Sequence, residues 1–173
     1  MDDVTQQKRS WDRPAGASFD EWMKTRVARV AERTYDWNAL KFQADYDPKY
    51  RRAQKRFIGT GVATDKNVIP SEHFTLSNMI LPVGAEGPMH LHTDAEEVFF
   101  VLRGKVKFMT ELNGERFEAV LGERDCISVP PGMYRGEINV GDEEAVIMVM
   151  IGSPKPVTPT YPPEHPLSKV KRN

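Results

Sequence analysis

The chain has 173 residues, 24 lysines and arginines against 25 aspartates and glutamates, a net charge of −1, and one cysteine. This length supports one domain with a real core and is short for two, and so even a charge balance leaves no global basic footprint for nucleic acid. No run approaches the ~20 apolar residues of a membrane span, and with Cys126 as the sole cysteine no intramolecular disulfide can form, which fits a reducing compartment. The start, Met1-Asp2-Asp3-Val4, is polar and lacks the apolar stretch of a secretory signal. The expected location is therefore cytoplasmic.

In chain order, residues 1–17 are polar and read as a loosely held arm. Ser18-Phe19-Asp20-Glu21 spells a capping box. Phe19, Trp22, Met23, Val27 and Val30 follow at helical spacing, which predicts a helix from about Phe19 to Arg33 whose apolar stripe packs on the main domain. Residues 34–56 are rich in aromatics, with a turn at Asp47-Pro48. The basic run Lys49 to Arg56 reads as a solvated face or an intersubunit contact, and a phosphate-binding role finds no second basic patch to support it.

From Phe57 the pattern changes to short strands alternating with turns, the signature of an all-β sandwich or barrel. Strand-like runs are His73 to Leu81, Glu97 to Leu102, Lys105 to Thr110, Arg116 to Val120, Cys126 to Val129 and Ala145 to Ile151. Asn113-Gly114 is the strongest hairpin signal. From Ser153 the chain is proline-rich and predicts an extended tail that lies along a neighbouring subunit. Three segments result: 1–56 as arm, helix and linker, 57–152 as the β-domain, and 153–173 as the tail.

Within the β-domain, Gly84 to Gly104 has the spacing G-x5-H-x-H-x4-E-x6-G. His90 and His92, two apart in an extended strand, share a face. The turn formers Thr93 to Glu96 follow, and Glu97 opens the next strand. If the two strands pair, Glu97 faces the same interior. Glu96 competes with Glu97, but Phe99 and Val101 share parity with Glu97 and suit an interior. Two imidazoles and a carboxylate are the donors of a facial triad with open positions.

This spacing resembles the first motif of the cupin superfamily at every fixed position. The resemblance implies an all-β, jelly-roll cupin barrel, with the helical extension before it and the tail after it. It further implies a divalent ion held by His90, His92 and Glu97. Iron(II) is favoured, with manganese, nickel or zinc as alternatives. The family's second motif, G-x5-P-x-G-x2-H-x3-N, is present with departures. Gly122 lies too far from Pro130, Pro131-Gly132 and Asn139 are kept, and Arg135 stands where a fourth ligand is usual. A guanidinium has no lone pair for a metal.

Three roles for Arg135 are open: anchor for a substrate anion beside the ion, which is favoured, counter-ion to Glu97, or a side chain turned to solvent. His73 is a substitute ligand or a polar strand end, and His165 is expected in solvent. Met89, Phe99, Phe108, Met133 and Tyr134 are pocket walls or plain core. The favoured function is a dioxygenase-type oxidoreductase acting on a small anionic substrate, a carboxylate or enediolate. The alternatives are a cupin isomerase, decarboxylase or lyase, or a non-catalytic small-molecule binder. The apolar stripe, the aromatic segment and the tail exceed what a bare barrel needs, so a homodimer is expected. Partners beyond a small-molecule substrate, such as nucleic acid or membrane, are not expected.

Overall fold

The structure, a computed structural model, describes residues 9–59 and 67–170. Thr60 to Val62, the expected lead-out of the first strand, and the first part of the N-terminal arm lie outside the described residues. Among the described residues, nine strands form two antiparallel sheets: β1 (Ala53–Ile58), β2 (Thr75–Leu81), β3 (Glu86–His90), β4 (Glu97–Arg103), β5 (Val106–Leu112), β6 (Glu115–Leu121), β7 (Cys126–Val129), β8 (Tyr134–Asn139) and β9 (Ala145–Ile151). One sheet has the order β1-β2-β9-β4-β7 and the other β3-β8-β5-β6.

Alternation drives this arrangement. Along β4, β5 and β9, buried and more exposed residues take turns. Phe99 and Val101, Val106 and Phe108, and Ala145, Ile147 and Val149 all point into one core. Phe99 and Phe108 meet across the sheets with ring centroids 5.2 Å apart, a contact geometry that adds roughly 0.5–1.5 kcal/mol beyond the area buried. Asn113 and Gly114 turn the β5–β6 hairpin with φ of 53° and 83°, the left-handed pair of a type I′ turn.

Three expectations change. The capping box forms, with Ser18 N donating to Glu21 at 2.9 Å and Glu21 N to Ser18 Oγ at 3.2 Å, but the helix α1 spans only Phe19–Lys24. Thr25 Oγ1 donates to the Trp22 carbonyl at 2.6 Å, a local bond that competes with the helical ladder. The stripe does not cover the barrel either. Phe19, Val27 and Val30 are 62%, 50% and 58% exposed.

The basic run is the second correction. β1 starts inside it, at Ala53, and Arg52 and Lys55 are buried. Between this run and α1 lies a second short helix, α2 (Lys41–Tyr46). The tail is the third. It lies on the chain's own barrel, where Thr160 pairs with Leu91. Tyr161 and Leu167 are buried against Tyr50, and Pro166–Lys169 forms a short 3-10 turn. His165 is half-buried there, with Nε2 3.2 Å from Tyr50 Oη.

Candidate metal centre

The two motif strands do not pair with each other. β3 belongs to one sheet, where His90 sits opposite Arg135 of β8, and β4 belongs to the other, where Glu97 lies between Val129 and Ile151. The loop from Leu91 to Glu96 crosses between the sheets. His90, His92 and Glu97 therefore converge because the sheets face each other. One donor atom from each lies within 4.8 Å of the others. His90 Nε2 is 4.0 Å from Glu97 Oε2, and the two imidazole rings meet edge-on at 5.6 Å. His92 and Glu97 are buried and His90 nearly so. Glu96 is exposed and accepts from Ser128 Oγ, so strand parity picks Glu97 as the inward acid.

Both rings are oriented from behind. His90 Nδ1 is 2.9 Å from the Pro88 carbonyl, and His92 Nδ1 is 3.1 Å from the Val157 carbonyl. A carbonyl only accepts, so each Nδ1 carries a proton, which in the neutral ring leaves the lone pair on Nε2. That is the tautomer a metal-ligating histidine needs, with its other nitrogen held by an outer acceptor. Burial, reinforced by the Arg135 charge, holds His90 well below its ordinary pKa and keeps the ring neutral. Burial also raises the Glu97 carboxyl to about 7, even with Arg135 pulling the other way.

Arg135 is 1% exposed and committed to Glu97. Its Nε donates to Glu97 Oε2 at 2.7 Å, a second guanidinium nitrogen is equally close to the same oxygen, and a third donates to the Met133 carbonyl at 3.2 Å. Arg135, Glu137 and Asn139 share parity on β8 and form a polar row facing inward. Asn139 ties down two loops. Its amide donates to the Leu81, Pro82 and Glu143 carbonyls, and its oxygen accepts from Gly141 N. Glu137 pairs with Arg52, both buried, and Arg52 donates onward to Gln43 Oε1 at 2.5 Å. Gln43 Nε2 then donates to Tyr161 Oη at 2.7 Å. The Arg52–Glu137 pair was not anticipated. Glu137 was available from its parity with Arg135 and Asn139, whereas nothing in a run of five basic residues among eight marks Arg52 as the one that turns in.

A cavity of about 390 Å³ opens onto the cluster. His90, His92, Glu97, Arg52, Glu137 and the tail segment 156–159 all contribute to its wall, and Arg135 does not. Of the expected apolar walls, Phe99 lines it, while Phe108 and Met133 belong to the core. A second hollow, about 420 Å³, lies between the arm and residues 67–70. It holds no candidate metal cluster, since among the described residues only His90, His92 and Glu97 form one. His73 is exposed and stacks on Trp11, far from a ligand role, and Cys126 is exposed on the outer wall.

Residues 77–152 match the family model described as a cupin domain. Germin-like protein subfamily 1 member 6 of Arabidopsis thaliana is 31% identical over 115 residues, covering 62% of this chain and 51% of that protein. Member 7 of the same subfamily and plant is 32% identical over 136 residues, 66% of this chain and 59% of that one. The chain thus spans about half the length of the curated relatives it matches. Among solved structures, an oxalate oxidase superposes with a TM-score of 0.60 at 16% identity, over 85% of this chain and 65% of that one. The capsular polysaccharide assembling protein CapF of Staphylococcus aureus gives 0.53 at 18% identity, over 70% and 30%. At these identities the structural likeness is one of fold. The two-sheet barrel, the complete first motif and the family match together define a cupin domain. Residues 77–152 are a cupin domain, and they carry a His-His-Glu cluster of the kind that can hold a divalent ion.

Proposed function

We propose that the chain is a metal-dependent cupin enzyme, a dioxygenase-type oxidoreductase acting on a small carboxylate or enediolate. His90, His92 and Glu97 hold a divalent ion, iron(II) first. The observation that carries this reading is the convergence of two Nδ1-protonated imidazoles and one carboxylate on the wall of a cavity of about 390 Å³. When bound, such an ion supplies open positions for substrate and dioxygen together. The chain's own residues do the rest. The Pro88 and Val157 carbonyls orient the histidines, and Arg135 orients and partly neutralises Glu97. Phe99, Val149 and Ile151 form the dry side of the cavity. The two buried Arg–Glu pairs cancel, so an ion leaves the site at about +2 by formal counting, which favours an anion. The anchor role expected of Arg135 passes in this reading to its hold on Glu97, and Arg52 and Arg56 are the arginines that line the cavity. The oxalate oxidase neighbour suggests small dicarboxylates as the first compounds to screen.

Metal analysis of purified protein, followed by oxygen uptake with a panel of small carboxylates, tests the proposal. His92→Ala is expected to weaken cobalt(II) binding by more than the about 10- to 100-fold that loss of an outer partner costs. An affinity within threefold of the unchanged protein would refute the ligand assignment. The pH dependence has a defined sign. Below about 7 the Glu97 carboxyl holds a proton that an ion must displace. Apparent metal affinity should therefore fall about tenfold per pH unit below 7 and level off above it. In metal-free protein the Glu97 contribution to stability fades as pH rises from 4.5 towards 7, because the folded state holds the proton more tightly than the unfolded. The His90 contribution fades in the opposite direction, as pH falls below 6.5.

One observation favours a second reading. Glu97 already has a counter-ion 2.7 Å away in Arg135, as a metal-free, ligand-binding barrel requires. Protein that neither contains nor takes up a divalent ion, yet binds a small anion, would establish that reading instead. Either way, sedimentation at micromolar concentration tests the homodimer, which the exposed Phe19, Val27 and Val30 motivate.

A further inference from the structure

The tail lies beyond the cupin domain, which ends at residue 152, yet Pro156, Val157, Thr158 and Pro159 wall the cavity beside the histidines. Each end of this stretch is anchored. Gly152 N donates to the Glu96 carbonyl at 2.9 Å, and Thr160 and Leu91 exchange backbone hydrogen bonds of 2.8 and 2.9 Å. Just past Thr160, Tyr161 is buried against Tyr50 and Leu167. Between the anchors, Val157 grips the metal motif with both of its backbone polar groups. Its amide donates to Asp94 Oδ2 at 3.0 Å, and its carbonyl accepts from His92 Nδ1 at 3.1 Å. Val157 is 54% exposed, and its grip is made by the peptide groups.

We propose that residues 153–159 are a strap and that the Val157 carbonyl is the positioning group for His92, fixing its tautomer and ring direction so that Nε2 faces a divalent cation. The last clause rests on the metal-site reading above, and the first does not. An imidazole without a fixed acceptor at Nδ1 divides between two tautomers and turns about its side-chain bonds. A fixed acceptor removes both freedoms before any ion arrives. Pro154, Pro156 and Pro159 suit the task because each locks φ and carries no N–H. The strap thus keeps one shape without a sheet ladder, and few amides are left to satisfy.

Asp94→Ala removes the acceptor for the Val157 amide. Asp94 is exposed, so the barrel should still fold. Asp94→Asn keeps a carbonyl acceptor and serves as the conservative rescue. Pro156→Gly with Pro159→Gly loosens the strap while leaving every anchor and the whole motif in place. Two readouts apply. In metal-free protein, nitrogen-15 correlation spectra of the imidazoles should show His92 as a single Nδ1–H tautomer, and as a mixture in the alanine and glycine variants. Cobalt(II) affinity should fall about 10- to 100-fold in those variants and stay within about threefold in Asp94→Asn. Unchanged His92 tautomer populations in both loosened variants would overturn the proposal. So would cobalt(II) affinities equal to that of the parent. If the parent itself takes up no cobalt(II), the metal reading fails, and the tautomer spectra still decide whether the strap positions His92.

Discussion

Arg135→Met is expected to destabilise the metal-free protein by about 3–5 kcal/mol, the usual cost of removing one partner from a buried ion pair. Arg135 is 1% exposed and Glu97 4%, so water cannot replace the lost guanidinium. The change falls on a carboxyl that burial already holds near 7, and Arg135 is the largest influence keeping it from rising further. Without it, the folded-state pKa of Glu97 climbs, and the destabilisation relative to the parent grows as pH rises from about 7 towards that new value. Denaturant unfolding at pH 6 and pH 8 should therefore show the larger loss at pH 8. Adding Glu97→Gln should recover much of it, because no charge is then left alone. If Arg135 instead held a substrate anion, the variant would keep its stability and lose on the order of 30- to 1000-fold in ligand affinity, the worth of a charge-assisted bidentate contact. The two outcomes fall in different measurements, so one protein separates them.

Where local chemistry decides structure, the sequence was legible. Valine, phenylalanine and isoleucine at alternate positions of β4, β5 and β9 allow one inward face, and the structure buries that face. The hairpin at Asn113-Gly114 is as legible, because few other residue pairs accept two positive φ values. Parity puts His90 and His92 on one face, and it is the resemblance of the motif, not the spacing, that joins Glu97 to them.

Where a tertiary choice decides, the sequence is silent. His90 and Glu97 meet across two sheets, and no periodicity says which strands become neighbours. Arg52 lies among charges that all look solvated, and only its fit beneath Glu137 and Gln43 takes it inside. The prolines after Ser153 announce an extended chain, but not that it would lie across the chain's own cavity. The helix overreach has a local cause that propensity understates. At Thr25 a hydroxyl bond to the chain's own carbonyl ends α1 before the apolar stripe does.

Gly87→Ala is expected to cost on the order of 4 kcal/mol, although alanine in place of a strand glycine ordinarily gains roughly 0.5–1 kcal/mol. Gly87 has no positive φ, so its backbone does not require glycine. The demand is spatial. Gly87 pairs with Glu137 across the β3–β8 ladder, and a Cβ placed on it would overlap Glu137 Oε1 and Cδ. A flexible surface glutamate would swing away. Glu137 is 0% exposed and bound to Arg52, and Arg52 is tied through Gln43 to Tyr161. Moving the carboxylate therefore strands a buried guanidinium, a loss of about 3–5 kcal/mol, on top of about 1–3 kcal/mol for overpacking, with partial overlap between the two. A double-mutant cycle isolates the cause. In Gly87→Ala with Glu137→Ala the methyl finds space, so the pair should cost no more than Glu137→Ala alone, with a coupling close to the whole cost of Gly87→Ala. Additive costs would show that the glycine answers to some other constraint, and a stabilised single variant would show that the carboxylate is free to leave. Because the Arg52–Glu137 pair lines the cavity, the single variant should also reshape the wall opposite the histidines. Ligand affinity should then fall more than metal affinity, since the three atoms nearest the added methyl all belong to Glu137 and none to His90, His92 or Glu97.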